Sequence, residues 1–437
     1  STDRDLARTA LWVMTHYPDW ADSVVGYLNH QVINSPRWNK AQAMTVREAL
    51  TVFANSPKVQ QAMTTWLADR SLHRADNLIA RRSFLFGVMA QADLKKFPKE
   101  WESILAMTLA SPKISESTKL AAIGVIQARG LTGVDTAANR LAKDSKASPA
   151  LRLAALSAIA SRIKMVPNDI EDFLRIQQGL GQPATSRSAA ARVTGCLAWS
   201  DDQRLKIAEK WLAEADGLTW ALLLPAFENS AREDLGLALV KALSAAPAGV
   251  LNEGLVTKAL RGHSPRVKAS AQSLLQKLAN SKKGELKYLE SLDQLLDGGD
   301  VGRGRTVFFG GKAVCGTCHT IGTKGGNMGP DLTSIGAIRT GRDILEAIVF
   351  PNSTQVPGHE AFVVKAKETH IGIVAHETSS ALTIRSAPGI EVRLERDTIR
   401  AIIPSAISLM PSGLHRNLSE AEFSDLLAFL QASVWVT

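Results

Sequence analysis

Long apolar runs, cysteines and blocks of like charge are scarce in this sequence. No apolar stretch approaches the ~18–20 residues that cross a bilayer, so no membrane-spanning helix is predicted. Only three cysteines occur in 437 residues. Cys315 and Cys318 lie close together, whereas Cys196 stands alone in an apolar helical stretch, where a buried and unreactive thiol is expected. The chain starts with Ser1 and shows no signal peptide, so we expect a processed form or a fragment.

The excess of positive charge does not form a block. The formal net charge is +9, yet residues 301–437 carry 13 Lys and Arg against 12 Asp and Glu. Nearly all of the excess therefore lies in residues 1–300, where it is spread along predicted helices. This distribution is typical of a solvated surface, and we predict no nucleic-acid partner. The alternative is a basic surface that steers an acidic protein partner.

Residues 1 to about 300 carry the pattern of amphipathic helices throughout. One stretch follows the i, i+3, i+4, i+7, i+8 spacing of a single helix face: Leu151, Ala154, Ala155, Ala158 and Ile159. Several helices are predicted to start alike, with a capping serine followed by proline: Ser56-Pro57, Ser148-Pro149 and Ser264-Pro265.

These helix starts recur at regular intervals. The separations from Ser115 to Ser148 and from Ala231 to Ser264 are both 33 residues, and others are closer to 40. A period of this length predicts stacked helix pairs, each of which buries its apolar face against the next. The small-residue helix faces resemble HEAT repeats. We therefore predict a HEAT-like α-solenoid over residues 1–299, with an irregular helical bundle as the alternative.

The character of the sequence changes after Gly298-Gly299-Asp300. Glycines are dense between Gly302 and Gly341, and a β-rich block extends over about residues 356–405. Its clearest strand-like segments are Ala361–Lys365, Ala381–Arg385 and Ile390–Leu394. A final amphipathic helix is predicted from Ser419 to Ala432, opened by a capping box in which Glu422 follows Ser419 by three residues. The chain length also favours more than one domain.

Cys315-Gly316-Thr317-Cys318-His319 is the attachment signature of a c-type haem. In this signature each thiol forms a thioether with one vinyl group of the porphyrin, and the histidine becomes the proximal iron ligand. Two other uses of a Cys-x-x-Cys pair are less well supported. A redox dithiol would normally lie in a βαβ setting, which is not visible here, and a zinc site would need a second ligand pair.

The residues around the signature favour the haem interpretation. Pro330 follows His319 by eleven residues in a Gly-Pro-Asp-Leu turn. In class I cytochromes c, a proline carbonyl in such a turn accepts a hydrogen bond from the proximal imidazole, which fixes its tautomer. Gly304 on a predicted first helix and Phe429 on the last are placed as in the helix crossing of these cytochromes.

The sixth iron ligand is expected just before the last helix, where Met410 lies. A thioether sulfur suits iron(II) and raises the reduction potential. The alternatives are that Met410 only packs, or that Met328 binds instead, although Met328 lies beside the Gly-Pro turn on the proximal side. Four histidines could supply an imidazole, but each is more typical of a surface histidine: His359, His370, His376 and His415.

The order of these motifs resembles the planctomycete-type haem-binding domain over about residues 300–432. The resemblance is carried by these segments: Gly302–Phe308, Cys315–His319, Gly325–Leu332, Phe350–Ser353, Pro357-Gly358 and Ser408–Leu414. It implies a class I cytochrome c domain over residues 300–437 with a small β-sheet insertion at about 356–405. Members often carry helical repeats and a sugar-dehydrogenase-like propeller. His359 departs from the family, which usually has an aromatic residue there.

Taken together, the sequence predicts a mainly α protein with one covalent haem c, bound by Cys315, Cys318, His319, Pro330 and Met410, in which His319 and Met410 ligate the iron. The expected function is electron transfer from a dehydrogenase, for example a sugar-oxidising one, to a downstream acceptor. No catalysis by the chain alone is expected. The alternatives are a haem-based sensing or interaction module, or a haem enzyme with an open iron site. Haem attachment of this type implies a periplasmic or other extracytoplasmic location.

Overall fold

The computed structural model is mainly helical with a small sheet portion. It describes residues 20–30, 40–68, 76–92, 94–216, 219–246, 250–280, 282–352, 359–377, 380–388, 390–405 and 407–433. Within these ranges, no helix is both long enough and apolar enough to cross a membrane. The chain divides into two compact units. One comprises the described residues up to 159 with 390–393, and the other those from 160 to 388 and from 394 to 433.

The first unit consists of short helices with buried faces. Their bounds are α1 Ala21–Asn29, α2 Lys40–Val52, α3 Pro57–Ala68, α4 Asp76–Gln91, α5 Lys99–Ala110, α6 Glu116–Arg129, α7 Asp135–Lys143 and α8 Pro149–Ile159. The predicted serine caps are present at α6 and α8, where the Ser115 and Ser148 hydroxyls accept backbone N–H groups. The predicted face of α8 is buried at Leu151, Ala155 and Ile159.

Hydrogen bonds in the first unit join residues about one helix pair apart. The Trp101 indole N–H lies 3.1 Å from the Thr64 hydroxyl. Arg129 Nε donates to the Met89 carbonyl at 2.9 Å, and the Ser148 hydroxyl donates to Glu116 at 2.6 Å. These separations of 32 to 40 residues match the predicted repeat length. Each helix pair is thus tied to the next as well as packed against it.

The second unit begins with a similar series of helices. Their bounds are α9 Asn168–Gln178, α10 Ala184–Cys196, α11 Asp201–Lys206, α12 Leu212–Glu214, α13 Trp220–Leu223, α14 Glu233–Ala245, α15 Glu253–Ala259, α16 Pro265–Ser270, α17 Gln272–Ala279 and α18 Lys282–Leu292. Ion pairs again join residues that lie about one helix pair apart in the sequence: Arg175 with Glu214, and Arg266 with Glu233. Ser264 caps α16 as predicted.

Five further helices follow in the second unit. They are α19 Val301–Phe309, α20 Cys315–Cys318, α21 Ile335–Ile338, α22 Gly341–Val349 and α23 Glu420–Gln431. The predicted capping box at Ser419 is present. Phe308, Leu345 and Leu427 lie at the centre of the core these helices share. Leu289 and Leu295 belong to the same core, although they precede the predicted domain boundary at residue 300, which stays a prediction.

A close crossing of α19 and α23 organises this core. A Cβ added to Gly304 would lie 1.9 Å from the carbonyl oxygen of Asp425, so only glycine allows this approach. Beside it, the Phe308 and Phe429 rings lie 5.6 Å apart. The buried Asp425 carboxylate accepts from Arg303 Nε at 2.7 Å and from the Asp300 backbone N–H at 2.6 Å. The glycine–aromatic crossing expected from the sequence is therefore confirmed.

The β-rich block forms an antiparallel sheet between α22 and α23. Two short strands precede it in the chain, β1 Thr320–Ile321 and β2 Lys324–Gly325. The strands of the sheet are β3 Ala361–Lys365, β4 Thr369–Glu377, β5 Ala381–Ala387, β6 Ile390–Glu395 and β7 Ala401–Pro404, in the order β6-β5-β4-β3-β7. Phe362 pairs with Gly372 of β4, and Val363 with Ile403 of β7. The three predicted strands are confirmed. The other two strands, β4 and β7, lie in the same block but were not among the predicted segments. In β4, Gly372 interrupts the apolar pattern.

Candidate functional site

The Cys-x-x-Cys-His segment forms one tight helical turn, α20. The His319 N–H bonds the Cys315 carbonyl at 2.9 Å, which closes the turn and places both thiols and the imidazole close together. Val314, just before it, has φ 52°, a left-handed conformation that a β-branched residue rarely adopts. Such a residue costs about 1–3 kcal/mol and persists only where its surroundings impose it. The turn is therefore held in a specific shape.

The following loop folds back over this turn. A two-residue ladder joins β1 Thr320–Ile321 to β2 Lys324–Gly325. The backbone N–H groups of Met328 and Gly329 both bond the Cys318 carbonyl, at 2.9 and 2.8 Å. Gly329 lies flat against the imidazole, because a Cβ there would be 2.4 Å from His319 Cε1. The side chain of Met328 is buried on this same side.

The loop fixes the orientation of His319. Its Nδ1 lies 2.9 Å from the Pro330 carbonyl oxygen. Because a carbonyl only accepts, Nδ1 must carry the proton, and the lone pair is left on Nε2. Burial lowers the pKa of His319, which favours the neutral ring that binds metals. The hydrogen bond expected from the Gly-Pro turn is thus present.

Both cysteines of the turn are free thiols and half-buried. Burial raises the pKa of Cys315 to about 12, and it also raises the pKa of Cys318. The positive charge of Arg192 partly opposes this shift at Cys318. Both groups are therefore protonated at neutral pH, as required of thiols that add across a vinyl double bond.

A small apolar cluster connects Met410 to the Cys315–Cys318 turn. Leu414 is buried, and Val314 and Met410 pack against it. Val314 directly precedes Cys315. The cluster therefore brings the loop of residues 407–413, here called the methionine loop, to the turn.

Asn352 holds the methionine loop at two points. Its Oδ1 accepts the Ser408 N–H at 2.7 Å, and its Nδ2 lies 3.3 Å from the Ser412 hydroxyl oxygen. The Ser408 hydroxyl in turn accepts the Met410 N–H at 3.1 Å. Asn352 falls within the motif segment Phe350–Ser353, but the sequence predicts no role for it. Its contacts lie 56 and 60 residues away, so no local pattern indicates them.

Four histidines were expected at the surface, and the structure places them differently: His415 is buried, His359 and His370 are half-buried, and His376 is exposed. His415 is buried, which corrects that expectation, because it lies between the rings of Tyr288 and Phe423. Its Nε2 bonds the Tyr288 hydroxyl at 2.9 Å, and burial lowers its pKa to about 4. His359 is half-buried, and its buried Nδ1 has no hydrogen-bond partner among the residues that the structure describes. His376 is exposed as expected.

Cys196 also differs from expectation, since it is solvent-accessible. Even so, burial raises its pKa, because protein atoms surround it on most sides. Both observations hold if the thiol opens onto a deep cleft rather than onto a convex surface. Cys196 ends α10 one turn after Arg192, whose charge also acts on Cys318. Sequence gives no signal for this proximity.

The residues at this site fit a covalently attached haem. They offer two free thiols in one turn, an imidazole with an available Nε2, and a thioether on the neighbouring loop. Within the described ranges, no three or more His, Cys, Asp and Glu side chains cluster as a metal site would require. A haem needs no such cluster, because the porphyrin itself supplies four nitrogen donors to the iron.

No family model matches the chain, and no curated protein matches it.

Proposed function

We propose that this chain is an electron-transfer protein with one covalent haem c. Cys315 and Cys318 would carry the two thioether links, and His319 and Met410 would ligate the iron. The observation that carries the proposal is the hydrogen bond from His319 Nδ1 to the Pro330 carbonyl, which leaves Nε2 available beside the two thiols. A bound haem would supply one-electron chemistry, while the protein sets its ligands, burial and access.

The proposed architecture is a HEAT-like solenoid over residues 1–299 and a class I cytochrome c domain with a β-sheet insertion. Two sets of contacts support it. Hydrogen bonds and ion pairs between residues one helix pair apart support repeated units in both compact units. The crossing of α19 and α23 at Gly304 supports the cytochrome. The resemblance to the planctomycete-type haem-binding domain rests on the sequence motifs alone.

The proposed donor is a dehydrogenase domain or subunit, for example a sugar-oxidising one, and the acceptor lies downstream. The methionine loop is the reason to favour electron transfer over catalysis or sensing. A loop fixed by Asn352 and the Leu414 cluster would keep Met410 on the iron and exclude substrates or gases. Covalent haem attachment further implies an extracytoplasmic location.

The attachment is tested by producing the protein with the c-type haem maturation machinery and recording an intact mass after denaturation and acidic solvent extraction. The wild type should retain the mass of one haem. Cys315→Ala and Cys318→Ala should each lose most of the resistant haem, while the matched control Cys196→Ala should keep it. Haem that is fully extracted from the wild type would remove the basis of the proposal.

A further inference from the structure

Helix α10 and the β-sheet insertion come together beside the haem-attachment turn, within the second compact unit. Arg192 Nη1 on α10 lies 3.5 Å from the Ser386 carbonyl oxygen on β5. The preceding residue, Arg385, donates to the Asn327 carbonyl at 2.7 Å. Asn327 is followed by Met328, whose N–H bonds the Cys318 carbonyl. These contacts link Arg192 through β5 and residues 327–328 to Cys318, although the two lie far apart in sequence.

The guanidinium of Arg192 has little to balance its charge. It is half-buried, and its one hydrogen bond is the long contact to Ser386. In the described part of the chain, no carboxylate forms an ion pair with it. A partly desolvated cation without a counter-charge is costly, so a protein retains one where it gains an interaction. The positive charge of Arg192 acts on Cys196 and on Cys318, where it lowers the pKa of each thiol against the effect of burial.

We propose that Arg192 is a positioning residue of the haem site whose uncompensated positive charge raises the reduction potential of the haem. The proposal rests on the proposed haem attachment at Cys318. It gives the helical repeats a part in the redox site in addition to any scaffolding role, because α10 lies within the predicted repeat region.

The direction of the effect of Arg192 on the reduction potential follows from the change in charge when the haem is reduced. One electron is added from the reductant and no proton need follow, so the charge at the iron centre falls by one. A fixed positive charge nearby stabilises this electron. Because Arg192 is partly desolvated, the interaction is screened less by water and salt than one between exposed charges. Neutralising the guanidinium should therefore lower the potential.

The test is a spectroscopic redox titration of the haem-loaded full chain. Arg192→Gln should shift the ratio of reduced to oxidised protein at a fixed potential by a factor of several toward the oxidised form, where a tenfold shift corresponds to about 59 mV. Arg192→Lys keeps the charge and should retain most of the wild-type potential. Arg266→Gln is the control, since Arg266 is exposed and paired with Glu233, and it should leave the potential unchanged.

A second pair of variants neutralises Arg192 without removing it. Cys196 is solvent-accessible and coupled to Arg192, so Cys196→Asp places a carboxylate near the guanidinium at a position that tolerates it. Cys196→Asp should lower the potential, and Cys196→Ser should not. If Arg192→Gln fails to fold, Arg192→Met, which is uncharged and of similar length, replaces it in the same comparison. Equal potentials for Cys196→Asp and Cys196→Ser, or for Arg192→Gln and wild type, would overturn the inference while covalent haem on the wild type still upheld the proposed function.

Discussion

The crossing of α19 and α23 allows a stringent test by substitution of one glycine. A Cβ on Gly304 would lie 1.9 Å from the carbonyl oxygen of Asp425 and 2.7 Å from Phe429 Cβ. The nearest atoms are main-chain atoms of α23, which cannot rotate away. The helices must separate, and this would also disturb the bonds from Arg303 and Asp300 to the Asp425 carboxylate.

Gly302, one position before Arg303 on the same helix, provides the matched control. A Cβ there meets only the Asp300 side chain, at 3.3 Å. Replacing an exposed helical glycine with alanine stabilises by roughly 0.5–1 kcal/mol, and both variants share this gain. The difference between them therefore isolates the clash, which for overpacked cores is about 1–3 kcal/mol. We expect the upper half of that range, because backbone rather than a flexible side chain must move.

The assay is guanidinium unfolding followed by far-ultraviolet circular dichroism. Gly304→Ala should have a lower midpoint than Gly302→Ala, with the same slope, so that the change is one of stability alone. A Gly304→Ala protein as stable as Gly302→Ala would mean that the helices do not approach as described, and would refute the reasoning for the whole C-terminal core.

Three further predictions concern Met410, the Asn352 contacts to its loop, and His415. Met410→Ala should abolish the weak near-infrared band of methionine-ligated ferric haem and admit carbon monoxide, whereas Met328→Ala should keep the band. Asn352→Ala should weaken the same band, because the loop loses two hydrogen bonds worth about 1–3 kcal/mol together; an unchanged band would exclude this role for Asn352. His415 has a pKa near 4 in the folded protein against an ordinary 6.5, so its contribution to stability should be complete above pH 6.5 and lost as the pH falls toward 4. His415→Gln should flatten the loss of stability between these values in urea unfolding series, and an equally steep loss would contradict the assignment.

Local patterns in the sequence predicted local structure well. Ser419 and Glu422 form the predicted capping box because both partners lie within one helical turn. The bond from His319 to Pro330 spans eleven residues within one loop, so a turn motif was enough to indicate it. The apolar run of Ala361–Lys365 similarly matched a strand, in which Ala361 and Val364 are buried.

Long-range contacts could not be predicted in this way. Arg192 reaches Ser386 across 194 residues, and Tyr288 reaches His415 across 127. Each of these side chains is ordinary in its own helix or loop, because its role depends on a partner that no local spacing specifies. Cys196 illustrates the same limit: an apolar helix predicts a buried thiol, and only the tertiary structure shows that it is solvent-accessible.

The two sides of the candidate haem site consequently depend on different parts of the chain. The side of His319 is built from residues 314–332, and the bonds within this segment join positions at most twelve apart. The methionine side depends on Asn352, more than fifty residues before Met410, and on Tyr288 through His415. Contacts that close long loops are the first to be lost when a protein opens locally, since re-forming them costs more chain entropy. Partial unfolding should therefore release Met410 before it disturbs His319, and a haem attached as proposed at Cys315 and Cys318 would stay bound while one face of its iron became exposed.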